Sequence, residues 1–115
     1  MWQGGNDSAP TEASAVLTGE AAGDIELSWT ESDEVLTLRA SELPPVGDDV
    51  YQLWLVMDDG VVSAGVFRPA ASGEVNIEFP VAAGDASAFA VTIEPGPSGS
   101  PAATTDAIYE GEPSA

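Results

Sequence analysis

The side chains able to do chemistry in this chain are nearly all carboxylates. Twenty Asp and Glu stand against two cations, Arg39 and Arg68, with no Lys, His or Cys, for a formal net charge of -18 over 115 residues. Without His or Cys no Ser–His or Cys–His nucleophile can be assembled, and without Lys there is no Ser–Lys pair. Two adjacent pairs, Asp48-Asp49 and Asp58-Asp59, have the residue type for glycoside hydrolysis or for a calcium site made of loop oxygens. Both lie at turn signals, where Asp stabilises the turn itself, and no D-x-D-x-D-G run of the EF-hand kind is present. A solvated acidic surface accounts for them, so no catalytic, cofactor-binding or metal-binding residue is assigned and no enzyme activity is expected.

Trp29, Tyr51 and Trp54 are the rings suited to a sugar platform, because each joins an apolar face to a polar tip. Tyr51 and Trp54 are three apart, however, and on a strand that spacing sends them to opposite faces. Core packing is the reading for all three.

The charge also decides partners. Nucleic acid and anionic lipid are bound through Lys and Arg that displace counterions, and both are excluded here. Such a composition suits high salt, where a Debye length of about 3 Å at 1 M removes self-repulsion, and a halophilic setting is expected. The hydrophobic fraction of 43% is that of a folding chain despite the charge. No apolar run approaches the roughly 20 residues of a membrane span, and the first residues lack the basic and apolar regions of a signal peptide.

These residues are carried by short alternating segments. Residues 1–14 are small and polar without period and read as a flexible linker, with one domain over 15–115. In Asp24–Thr30, Ile25, Leu27 and Trp29 share one face; Leu36, Leu38 and Ala40 do so in Val35–Ala40, and Val75, Ile77 and Phe79 in Glu74–Phe79. Tyr51–Met57 is apolar on both faces apart from Gln52 and reads as a central strand covered on both sides. Asp58-Asp59-Gly60 is a hairpin signal joining it to Val61–Phe67. Ala88–Glu94 follows an Ala-Gly-Asp turn, with Phe89, Val91 and Ile93 inward, and a last strand is expected near Ala107–Tyr109. With Ala15–Thr18 this is the pattern of an all-β, antiparallel β-sandwich of about seven or eight short strands and no amphipathic helix, with a small barrel as the alternative. Glu94-Pro95-Gly96-Pro97-Ser98-Gly99-Ser100-Pro101 cannot extend a ladder and reads as a long ordered loop.

Three segments in this order, Tyr51-Gln52-Leu53-Trp54-Leu55-Val56, Ser63-Ala64-Gly65-Val66-Phe67 and Phe89-Ala90-Val91-Thr92-Ile93-Glu94-Pro95, resemble the C-terminal, extracytoplasmic domain of anti-sigma-K factors. Leu43-Pro44-Pro45 is similar to the Leu-Pro element ahead of that family's Tyr-x-Leu-Trp strand, so the resemblance covers about residues 15–111. Where the family has Ala-Gly-Gly-Ser-x-x-Pro-Thr, this chain has Gly96 to Thr105 without the Pro-Thr. The resemblance implies a membrane-anchored regulator. Its partners would be an extracytoplasmic-function sigma factor, held by an N-terminal domain absent from these residues, and a membrane protease acting in regulated proteolysis. It further implies a single transmembrane anchor, also absent here, with this segment on the extracytoplasmic face of a bacterial cell membrane and Trp2 at the interface. Two other classes stay open on the residues: an exported acidic module binding calcium or carbohydrate, and a purely structural spacer on a cell surface.

Overall fold

A computed structural model describes residues 12–19, 22–30 and 34–114. Nine strands are present among them: β1 (Glu12–Leu17), β2 (Asp24–Thr30), β3 (Leu36–Ser41), β4 (Val50–Met57), β5 (Gly60–Phe67), β6 (Val75–Phe79), β7 (Ala88–Glu94), β8 (Tyr109–Gly111) and β9 (Pro113–Ser114). They form two sheets, of order β6-β3-β2-β1-β9 and β5-β4-β7-β8, with every neighbouring pair antiparallel. The fold is an all-β sandwich.

Alternation in sequence becomes the inner face of each sheet. Ala15, Leu17, Ile25, Leu27, Trp29, Leu36 and Leu38 of the first sheet pack against Tyr51, Leu53, Leu55, Phe67, Phe89 and Val91 of the second, all buried. Burying an aliphatic or aromatic side chain of this size contributes roughly 1.5–3 kcal/mol against leaving it in water. The rings interlock at the centre: Tyr51 stacks on Phe67 at 5.5 Å between centroids, Tyr109 meets Tyr51 at 6.4 Å, and Trp29 meets Phe89 at 5.2 Å. Each buried tyrosine finds a carbonyl, with Tyr51 Oη donating to Pro44 O and Tyr109 Oη to Ala22 O, both at 2.6 Å.

Three details differ from the sequence reading. β1 starts at Glu12, inside the stretch expected to be linker, because Ala13 and Ala15 continue the inward alternation of Leu17 opposite Trp29, Leu27 and Ile25. The expected Ala107–Tyr109 strand lies two residues later, at Tyr109–Gly111, since Ile108 is spent on a single bond to the Val91 carbonyl. The chain then crosses sheets: Thr18 and Glu110 exchange backbone hydrogen bonds and Pro113–Ser114 pairs with β1, so the C-terminal strands close one side of the sandwich. Residues 1–11, with Trp2, lie outside the described residues.

Candidate functional site

Adjacent positions on β4 point alternately into and out of the sandwich, so Tyr51, Leu53 and Leu55 face the core while Gln52 and Trp54 face outward. An outward residue on a solvated sheet is normally exposed, yet Gln52 and Trp54 are only 3% exposed. Their neighbours on β7 behave alike. Thr92, opposite Gln52, and Glu94, opposite Val50, are buried too, and Gln52, Thr92 and Glu94 are the buried polar residues among those described.

The cover is the segment joining β7 to β8, which folds back over the outer face and is fastened by side chains of the sheet. At its near end Gln52 Nε2 donates to Ser63 Oγ at 2.7 Å and to Ser100 O at 3.0 Å, while Gln52 Oε1 accepts from Ser100 N at 2.9 Å. Gly99, with φ of 79°, brings the chain within contact of that amide, and a Cβ there would collide with Gln52 Oε1 and the Val66 side chain. At the far end Thr104 donates both its amide and its hydroxyl to the Glu94 carboxylate, and Thr105 Oγ1 donates to Ile93 O at 2.9 Å. Between the two, Trp54 Nε1 donates to Thr92 Oγ1 at 2.9 Å, and Thr92 Oγ1 donates to Glu94 Oε2 at 2.6 Å. The indole, the hydroxyl and the carboxylate thus form one chain of bonds ending at the loop.

Electrostatics follow from this wiring. Burial raises the Glu94 pKa, but hydrogen bonds from the Thr104 side chain, then Thr92, the Thr104 amide and Ser100 outweigh it and hold the carboxyl below its ordinary value. The group is therefore an anion clamped by donors. That state is the opposite of a proton donor, and both oxygens are already committed. Its chemistry is to fix a loop.

The residues singled out in the sequence fall elsewhere. Asp58 and Asp59 form the exposed β4–β5 turn, and Asp48 and Asp49 the exposed turn before β4. Among the described residues no three acidic side chains converge on a point. Trp29, Tyr51 and Trp54 do not share a surface: Trp29 and Tyr51 are in the core, Trp54 is on the other side of its sheet, and all three are buried. An open groove of about 580 Å³ runs along the closed side of the sandwich, lined by Val16, Val56, Ala88 and Ala90 with Glu110 and Glu112 at its rim. Its one ring, Phe89, is 1% exposed. The Gln52–Thr92–Glu94 row was missed in the sequence: its one signal is Gln52, a polar side chain on a strand read as covered on both faces, and no sequence feature sets Ala88–Glu94 beside that strand.

Comparison with known proteins gives two matches. The chain matches the family described as "Anti-sigma-K factor rskA, C-terminal" over residues 2–108. It is 35% identical over 97 residues to the Streptomyces griseus protein described as "Uncharacterized protein in phr 5'region", covering 84% of this chain and 39% of that relative. The chain thus spans about two-fifths of the length of that curated relative. No solved structure matches it.

Proposed function

The chain belongs to the anti-sigma-K factor C-terminal domain family, and from that membership we propose that it is the extracytoplasmic sensory and regulatory domain of a membrane-anchored anti-sigma factor. The longer protein holds an extracytoplasmic-function sigma factor through an N-terminal domain and crosses the membrane once. This domain governs access of a membrane protease to the juxtamembrane segment ahead of β1, the folded unit taking in β1 from Glu12 onward. Release of the sigma factor follows regulated proteolysis.

The family match over residues 2–108 carries this reading. Other observations agree with it. The chain accounts for 39% of its curated relative, which leaves room for an anchor and a second domain. The one buried anion among the described residues is spent on holding a loop, as suits a domain that acts by shape and contact. A surface of -18 repels the DNA that a transcription factor would bind and suits a regulator that works through another protein.

The experiment is made in the native host with a reporter driven by the cognate sigma factor. Deleting the codons for residues 12–114 from the full-length gene should make the reporter unresponsive to the inducing signal, and an alkaline phosphatase fused after Ala115 should be active. A deletion that leaves signal response intact, or a fusion active only as a cytoplasmic reporter, would remove the reading.

A further inference from the structure

β5 is an outer strand of the four-stranded sheet, and its eight residues carry no charge in a chain of net charge -18. Exposed edges are usually kept from pairing by brevity, charge or proline. The other edges follow that rule: β8 and β9 have three and two residues, and β6 carries Glu78 and follows Glu74. β5 does not. Among the described residues its backbone bonds go to β4 alone. Val61 and Val62, 57% and 46% exposed, are two of the four large hydrophobic side chains that stand in solvent among the described residues.

A bulge in β5 makes the strand symmetric with respect to its faces. Gly60 and Val62 lie opposite Met57 and Leu55 on the core side, and Val61 and Ser63 lie opposite Val56 and Trp54 on the outer side. Ala64 has no partner, and the register shifts there. Beyond it Gly65 and Phe67, opposite Leu53 and Tyr51, are again on the core side, with Val66 outward opposite Gln52. Outside the bulged Ser63–Ala64 step at the centre, where Ala64 packs against the core, the order of faces is then the same read in either direction, which an unbulged strand of eight residues cannot achieve, because its ends point to opposite sides. Opposed residues in an antiparallel ladder must share a face. Two copies of β5 satisfy that with Gly60 facing Phe67, Val61 facing Val66 and Val62 facing Gly65. Carried one residue past the ladder, the same register sets Asp59 of each copy opposite Arg68 of the other.

We propose that β5 pairs antiparallel with β5 of a second copy of this chain, joining two four-stranded sheets into one across a two-fold axis at Ser63–Ala64. The occupant is argued from charge: the ends of the strand are Asp59 and Arg68, one of only two cations in the chain. The guanidinium is exposed and uses Nη2 for the Asp48 carbonyl at 3.0 Å, leaving further N–H donors for a carboxylate. Opposing this local match is the repulsion between two bodies of -18, which salt screens. The dimer is accordingly favoured by salt.

Sedimentation velocity on the chain, from about 10 µM to about 1 mM, should show a dimer that grows with concentration by mass action and is stronger at about 1 M than at about 0.1 M NaCl. Arg68→Asp should weaken dimerisation at least tenfold. Adding Asp59→Arg should restore it to within about threefold, since side chains directly opposed across a ladder couple. Adding Asp106→Arg, on the loop leading to the opposite edge, leaves the same net charge and should not restore it. Circular dichroism melts confirm that each variant is folded. If the charge variants fail to fold, Val61→Cys/Val66→Cys replaces them: oxidation should crosslink this double variant into dimers and leave either single variant monomeric. A monomer at all concentrations in 1 M NaCl, equal rescue by both double variants, or no crosslink in the double cysteine variant would each overturn the proposal.

Discussion

The carboxylate of Glu94 receives both the backbone amide and the side-chain hydroxyl of Thr104, ten residues further along the chain. One anion at the end of β7 therefore closes the loop that is fastened at its other end to Gln52. Hydrogen bonds to a charged group are worth about 1.5–3 kcal/mol, and a donor left facing a donor adds a further cost. Glu94→Gln, which sets an amide NH2 among the Thr104 and Thr92 donors, should lower unfolding free energy by about 2 kcal/mol. Thr104→Val should cost about 1 kcal/mol, because the backbone amide bond survives. Urea denaturation measures both, and a Gln variant as stable as the parent would mean that the clamp contributes nothing.

The same pair sets a response to acid. The folded Glu94 pKa lies below the ordinary value of 4.5, so its contribution is complete above about that pH and disappears as pH falls through the folded value. Other carboxylates titrate in the same range, so the informative quantity is a difference. The stability gap between the parent and Glu94→Gln should be widest at pH 7 and shrink steadily below about pH 4.5. A gap independent of pH would show that the carboxylate is not held ionised by its donors.

Most of the fold was legible in the sequence, because period-two alternation states which residues face inward, and Ile25-Leu27-Trp29 or Val75-Ile77-Phe79 admit no other arrangement. The β4–β5 hairpin was legible from Asp58-Asp59-Gly60, and the cover on both faces of β4 from its lack of polar positions. What supplies that cover was not. The loop after Glu94 has no periodicity, and its place depends on the contacts of Ser100 with Gln52 and Thr104 with Glu94, 48 and 10 residues apart. Nor did composition show β1 starting at Glu12, since alanine alternation carries almost no hydrophobic contrast.

Gly99 is the residue that lets the loop lie flat. Its φ of 79° disfavours any side chain, and a Cβ would press into the Gln52 amide. Gly99→Ala should lift the near end of the loop while leaving the core intact. Trp54 then becomes accessible, and its fluorescence should shift to longer wavelength and quench more readily with acrylamide, with little change in far-ultraviolet circular dichroism. Unchanged quenching would place the cover of Trp54 elsewhere.

The charge imbalance makes a separate claim. Twenty carboxylates against two guanidinium groups repel one another across a folded surface more than along an extended chain. Screening at about 1 M NaCl, where the Debye length is about 3 Å, should relieve this, and the melting temperature should rise steadily from low salt. Potassium chloride should act like sodium chloride if screening is the cause. A melting temperature that is flat or falling with salt removes the halophilic reading.

At the alkaline end the chain is simple, because it has no Lys, Cys or His and only two tyrosines, Tyr51 and Tyr109. Burial, with Tyr109 nearby, pushes the Tyr51 hydroxyl from 10.0 up to about 12. Burial and the Asp24 carboxylate raise Tyr109 in the same direction. Both raised values mean that the fold favours the neutral phenol, so this contribution is complete below pH 10 and is lost as pH climbs toward about 12. Absorbance at about 295 nm, followed together with circular dichroism, should show both tyrosinates appearing with loss of structure, the coupling expected when unfolding releases buried protons. Tyr51→Phe removes the bond to Pro44 O at 2.6 Å and lowers stability at neutral pH, yet it should make the alkaline decline shallower by one proton. Tyrosinate signal near pH 10 with the circular dichroism unchanged would mean that the hydroxyls meet water in the folded state, and that the two carbonyl bonds anchoring the rings are not kept in solution.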